Sequence, residues 1–157
     1  MKINTLNDLE AIKNDFLNKE KTLQFTAHIC YGAGCISSDC KKFKEAFEQA
    51  LEHEHLQSKV RINLTGCMGA CTLGPTLIIN PGNTLYCNLN PASASQIVND
   101  HIKEGRIAEK FCYKNHETGE IISDLNEIPF FKKQKKIVLQ KCGVIDYASI
   151  EEYIAHD

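Results

Sequence analysis

The chain has 157 residues, 43% of them apolar and 24% charged, enough for one domain with a substantial core. A net charge of −2 gives a nucleic-acid partner no electrostatic support, and no run of about 18 apolar residues exists to span a membrane. Eight cysteines are many for such a chain. The N-terminal stretch lacks the apolar core of a secretory signal, so we expect a cytoplasmic protein, where clustered thiols bind metal or do redox chemistry more often than they form lasting disulfides.

Residues 5–20 are predicted to be helical. Thr5 and Asp8 have capping-box spacing, and Leu6, Leu9, Ile12, Phe16 and Leu17 form an apolar stripe. Residues 22–30 alternate Leu23, Phe25, Ala27 and Ile29 with polar neighbours, a strand ending at Cys30. A loop over 31–38 leads to a helix over 39–55, with Phe43, Ala46, Phe47, Ala50 and Leu51 on one face and Ser37 or Ser38 as its cap. Val60, Ile62 and Leu64 mark a second strand over 59–64 that stops just before Cys67. Residues 76–80 and 84–89 flank Pro81-Gly82-Asn83 as a hairpin, and Pro91 opens a helix to about Glu104 with Gly105 as its stop.

That order of elements implies an α/β sandwich, a four-stranded mixed sheet flanked by helices. Composition changes after Gly105. Residues 106–128 are polar with weak periodicity and a turn at 115–120, a helix is expected from Pro129 to Gly143, and a last short helix over Ala148–Ala155. The organisation we expect is an N-terminal helix (1–20), a main domain (21–110) and a C-terminal extension (111–157).

Cys30 and Cys35 are spaced C-x4-C directly after one strand, and Cys67 and Cys71 are spaced C-x3-C directly after another. A strand–helix–strand crossover makes those strands parallel and sends both loops to the same sheet edge. Gly32, Gly34, Gly66, Gly69 and Gly74 accompany them. Glycine permits positive φ and close backbone approach, which a cluster needs if backbone N–H groups are to point at its sulfurs. Two thiols from each loop suit a [2Fe–2S] cluster, one pair per iron. Zinc, which more often uses C-x2-C pairs, and a redox dithiol or disulfide are the alternatives.

Cys40, Cys87, Cys112 and Cys142 have no partner at ligand spacing and read as packing residues. His28 shares a strand face with Cys30, close enough to tune a cluster, although a packed histidine is the plainer expectation. Met68, Ala70 and Leu73 would be apolar cover. Lys132, Lys133, Lys135, Lys136 and Lys141 form a basic stripe, read as a solvated face with partner docking as the sharper alternative.

At Cys30, Cys35, Gly66-Cys67, Gly69, Cys71 and Gly74-Pro75 the sequence resembles the thioredoxin-like [2Fe–2S] ferredoxins over roughly residues 20–105. The resemblance implies their thioredoxin-like fold and a [2Fe–2S] cluster on Cys30, Cys35, Cys67 and Cys71. Residues 127–154 independently resemble the start of the NADH-binding flavoprotein subunit of complex I and of NAD(P)-reducing and electron-bifurcating iron hydrogenases. Tyr147 departs from the proline usual there. This second resemblance implies an electron-transfer module working with subunits that carry FMN and iron–sulfur clusters, while the resemblance to the ferredoxins allows a homodimer. The glycine-rich FMN- and NADH-binding segment that follows in that family is not present, so we expect no NADH turnover by this chain alone. A structural zinc or redox-sensing interaction module is the alternative reading.

Overall fold

The structure, a computed structural model, describes residues 3–156. Helix α1 (Leu6–Glu20) starts from the expected capping box: the Thr5 hydroxyl accepts from Asp8 N–H, and the Asp8 carboxylate accepts from Thr5 N–H. Strand β1 (Phe25–Cys30) is followed by a short helix α2 (Ala33–Ser37) and then by α3 (Cys40–His53). Strands β2 (Val60–Thr65), β3 (Leu77–Asn80) and β4 (Thr84–Tyr86) complete one sheet in the order β2-β1-β3-β4. β1 pairs with β2 in parallel, placing Cys30 beside Thr65, while β3 is antiparallel to both of its neighbours. Helix α4 (Pro91–Ile97) opens on a capping box between Asn90 and Ser93 and continues as a π-helical stretch to Lys103.

Strand alternation divides the core. On one face Ala27, Ile29, Val60, Leu77, Ile79 and Tyr86 pack under Phe43, Phe47 and Leu51 of α3, Ile97 of α4 and Val98 at the start of the π-helical stretch. Burying each such large side chain contributes roughly 1.5–3 kcal/mol, so this face holds the domain together. On the other face Cys30, Ile78 and Leu85 join Met68 and Ile128 in a smaller apolar cluster. Toward β2 that face turns polar, with buried His28, Asn63 and Thr65.

Residues beyond Gly105 cover this second face. A small hairpin, β5 (Tyr113–Lys114) with β6 (Ile121–Ile122), lies along β4, where Leu85 N–H donates to Ser123 O and Cys87 N–H to Phe111 O. At the opposite edge Tyr147 N–H donates to Leu64 O. Helix α6 (Ile150–Ala155) lies against α1 and sends Glu152 inward, where its carboxylate takes Arg61 at 2.5 Å and Asn63 at 2.8 Å. The outer edge of β4 is thus flanked by the hairpin, and that of β2 is met at Leu64, which shortens the strand edges left open to pairing.

Several local expectations change. The loop over 31–38 contains α2, so Ser37 is helical and cannot cap α3; Asp39, in a left-handed conformation at φ 64°, occupies that position. β4 ends at Tyr86, leaving Cys87 just beyond the strand. The largest correction is the helix expected over 129–143, of which only α5 (Pro129–Lys132) forms. Ile137, Val138 and Leu139 are consecutive, so a helix would scatter them over different faces with no stripe to bury.

Candidate metal centre

Cys30 ends β1, Cys35 lies in the middle of α2, and Cys67 and Cys71 flank a tight loop after β2. Because β1 and β2 run in parallel, the two loops leave the same sheet edge and meet. A Cβ on Gly32 would stand 2.8 Å from Cys67 Cβ, and one on Gly34 would stand 3.2 Å from Cys71 Sγ. The first loop therefore lies directly against the thiols of the second. Within the second loop Cys67 Sγ and Cys71 Sγ are 4.0 Å apart. Among the described residues no group of three ligating side chains closes on a single ion; the Cys67 and Cys71 sulfurs meet, as do those of Cys30 and Cys35.

Hydrogen bonding separates the thiols of the first pair. The Cys35 thiol donates to the Cys30 sulfur, which brings Cys30 down to about 5 against the opposing effect of burial; the Gly32 and Met68 N–H groups and the Thr76 hydroxyl add to it. Cys35 is pushed up by the same bond and by burial, although Thr76 N–H also points at its sulfur. Cys71 is pushed up by its bond to Cys67. Gly69 N–H donates to Cys67 Sγ at 3.4 Å. Backbone and hydroxyl donors aimed at sulfur favour the thiolate, the form that ligates metal.

Access is uneven. Cys30 and Cys35 are buried, Cys67 is partly covered, and Cys71 is exposed beside a shallow hollow lined by Gly69, Leu73, Tyr113, His116 and Phe130. Met68 is buried as cover, while Ala70 and Leu73 are only half-buried. Of the loop glycines expected to need positive φ, only Gly69 has it, at 93°; Gly32, Gly34, Gly66 and Gly74 are needed for space.

The other candidates fall outside the pairs. Cys40 is fully buried near Cys30, and burial pushes its thiol up. Burial likewise pushes Cys87 up to about 12 and Cys112 to about 11. His28 is buried with Nδ1 unpartnered, and burial followed by the Arg61 charge lowers it to about 4. Two neighbours were not singled out by spacing. Thr76 opens the chain after Gly74-Pro75, and only the sheet brings it onto the first pair. Cys142 has its sulfur 2.8 Å from where a Gly66 Cβ would be, a contact made 76 residues away in sequence (142 − 66).

Comparison with known proteins points to one family. The family model of the thioredoxin-like [2Fe-2S] ferredoxin covers residues 14–101, a span that includes all four cysteines. The 2Fe-2S ferredoxin of Clostridium pasteurianum is 32% identical over 76 residues, covering 48% of this chain and 74% of that protein. The 2Fe-2S ferredoxin of Aquifex aeolicus (strain VF5) is 29% identical over 77 residues, 48% of this chain and 69% of that protein. Two solved structures of the Aquifex aeolicus thioredoxin-like [2Fe-2S] ferredoxin share the fold. One has a TM-score of 0.53 at 23% identity, over 57% of this chain and 95% of that one; the other has 0.54 at 21%, over 64% and 99%. With the matched span taking in more than half of the sequence, the chain belongs to the thioredoxin-like [2Fe-2S] ferredoxin family.

Proposed function

We propose that Cys30, Cys35, Cys67 and Cys71 hold a [2Fe–2S] cluster, and that the protein transfers single electrons as a cytoplasmic module of an NAD(P)H-linked oxidoreductase, complex I-like or hydrogenase-type. The observation that carries the reading is the meeting of two thiol pairs at one sheet edge, with the Gly32 loop lying against Cys67. Two pairs suit two irons, whereas a structural zinc gathers four ligands round one point. When bound, the cluster supplies a one-electron couple. The chain supplies the thiolates, N–H donors from Gly32, Met68, Gly69 and Thr76, and a buried inner side. Cys71, on the exposed side, faces the route by which a partner would approach. The NAD(P)H-linked setting rests on the resemblance of residues 127–154 to flavoprotein subunits, and the partners would be subunits carrying FMN and iron–sulfur clusters.

The test is anaerobic purification followed by a visible spectrum, with iron and acid-labile sulfide assayed on the same sample. The reading expects a red-brown protein with two irons and two sulfides per chain. Cys67→Ser and Cys71→Ser should lose or strongly alter that spectrum. A colourless protein holding one zinc would replace the relay with a structural platform.

A further inference from the structure

The stretch from Ile128 to Ile145 is anchored at both ends and uncovered in the middle. Ile128 is fully buried in the cluster of Met68, Ile78 and Leu85. At the far end the Cys142 sulfur presses on Gly66, Gly143 N–H donates to Thr65 Oγ1 at 2.6 Å, and Ile145 is buried. Between these anchors Ile137 is 75% exposed and Val138 92%, with Leu139 and Phe130 about half exposed. Contiguous exposed apolar side chains mark an interaction site more often than a solvated loop.

The stretch itself carries charge of one sign, although Glu120, Asp124 and Glu127 line the hollow beside Lys132 and Lys133. From Ile128 through Ile145 the chain carries Lys132, Lys133, Lys135, Lys136 and Lys141 and no carboxylate, within a molecule of net charge −2. Lys132 is paired with Glu127, and Lys141 reaches the His156 carbonyl. Among the described residues Lys133 and Lys135 form no salt bridge, and both are exposed. The stretch also borders the candidate centre on two sides. Phe130 lines the hollow over Cys71, and Cys142 touches the residue before Cys67.

We infer that residues 130–144 form the docking surface for a protein electron-transfer partner whose contact face is apolar at the centre and acidic at the rim, an inference that rests on the cluster reading above. A basic rim steers an acidic partner and sets its orientation, while the apolar centre holds it. A two-fold pairing of this surface with a second copy would oppose lysine to lysine. A lipid surface would match the charge but could take no electron from the exposed Cys71 side.

The test uses the full chain with its cluster and an acidic flavodoxin as probe. Flavodoxin reduction by the pre-reduced protein is followed in stopped flow, and binding of labelled flavodoxin by fluorescence anisotropy. The double variant Lys133→Glu/Lys135→Glu should lower the second-order rate on the order of tenfold at low salt and flatten its salt dependence. Ile137→Ser/Val138→Ser should weaken binding while the salt slope stays that of the parent. Both variants should keep the parent's absorption spectrum and reduction potential, which separates lost docking from a lost cluster. A preparation without a cluster fails in the spectrum and overturns the reading above, while anisotropy still reports docking. Rates and binding equal to the parent in both variants overturn the inference. So does a loss confined to co-sedimentation with phosphatidylglycerol vesicles, which would assign the surface to a membrane. A dimer that becomes monomeric in Ile137→Ser/Val138→Ser by light scattering would overturn it in favour of a second copy.

Discussion

Gly32 has no room for even one added carbon. A methyl group there would meet Cys67 Cβ at 2.8 Å and Cys67 Cα at 3.2 Å, so the two cysteine loops would have to part. Gly32→Ala should therefore lower cluster occupancy well below the parent's, measured as iron per chain, while costing about 1–3 kcal/mol of stability as an overpacked contact. Full occupancy in that variant would show that the loops separate freely. A second residue-scale prediction concerns His101. It is buried, its Nδ1 lies 2.7 Å from the Tyr86 hydroxyl, and burial lowers its pKa. The folded state thus binds a proton less readily than the unfolded chain, whose histidine titrates near 6.5. Stability is fully present above about pH 6.5 and is lost as pH falls toward the lowered folded value. Urea unfolding at pH 7.5 and pH 5 should show a drop on acidification, and His101→Phe should show a smaller one. Equal drops would remove His101 from the acid sensitivity.

Among the elements, α6 is tied to the sheet through the Glu152 side chain. Glu152 is 1% exposed and is the shared acceptor for Arg61 and Asn63, while Arg61 also reaches Glu20 of α1 at 2.8 Å and lies over the Phe16 ring. Removing one partner of a buried charged pair leaves the other unpaired and costs about 3–5 kcal/mol. Glu152→Ala should lose on that order in a denaturant titration, and Glu152→Gln less, since it keeps an acceptor. If Glu152→Ala costs nothing, the network is incidental. Elements were legible in the sequence where one period dominated. α3 repeats Phe43, Phe47, Ala50 and Leu51 on one face, and Phe25, Ala27 and Ile29 of β1 and Val60, Ile62 and Leu64 of β2 recur at every second position, because each element turns one face toward the main core. The 129–143 stretch has lysines and consecutive aliphatics without a period, and no helix beyond α5 follows. α2 was hidden for the opposite reason: its five residues, Ala33–Ser37, are too short to show a period.

For the molecule as a whole, the second sheet face is finished by the C-terminal residues. Ile128 fills the apolar part, Glu152 and Thr65 hold the polar part through Arg61, Asn63 and Gly143, and the chain satisfies backbone groups on both outer strands. A chain ended after Lys110 should unfold on the order of 10 °C lower and bind more of an apolar dye, because Ile78, Leu85 and the polar face would meet water. An unchanged midpoint would mean that these residues rest on the domain without supporting it.

The two cysteine pairs at the ends of neighbouring strands, their glycines, the parallel crossover and the mixed sheet could be read from residue type and spacing alone, since strand ends and cysteine spacings are local features that no distant contact alters. The tertiary structure alone decided that Thr76 faces Cys30 and Cys35, that Cys142 rests on Gly66, and that Glu152 closes the face beside His28. Those contacts join segments tens of residues apart, and their energies exist only once the sheet has set the distance between them.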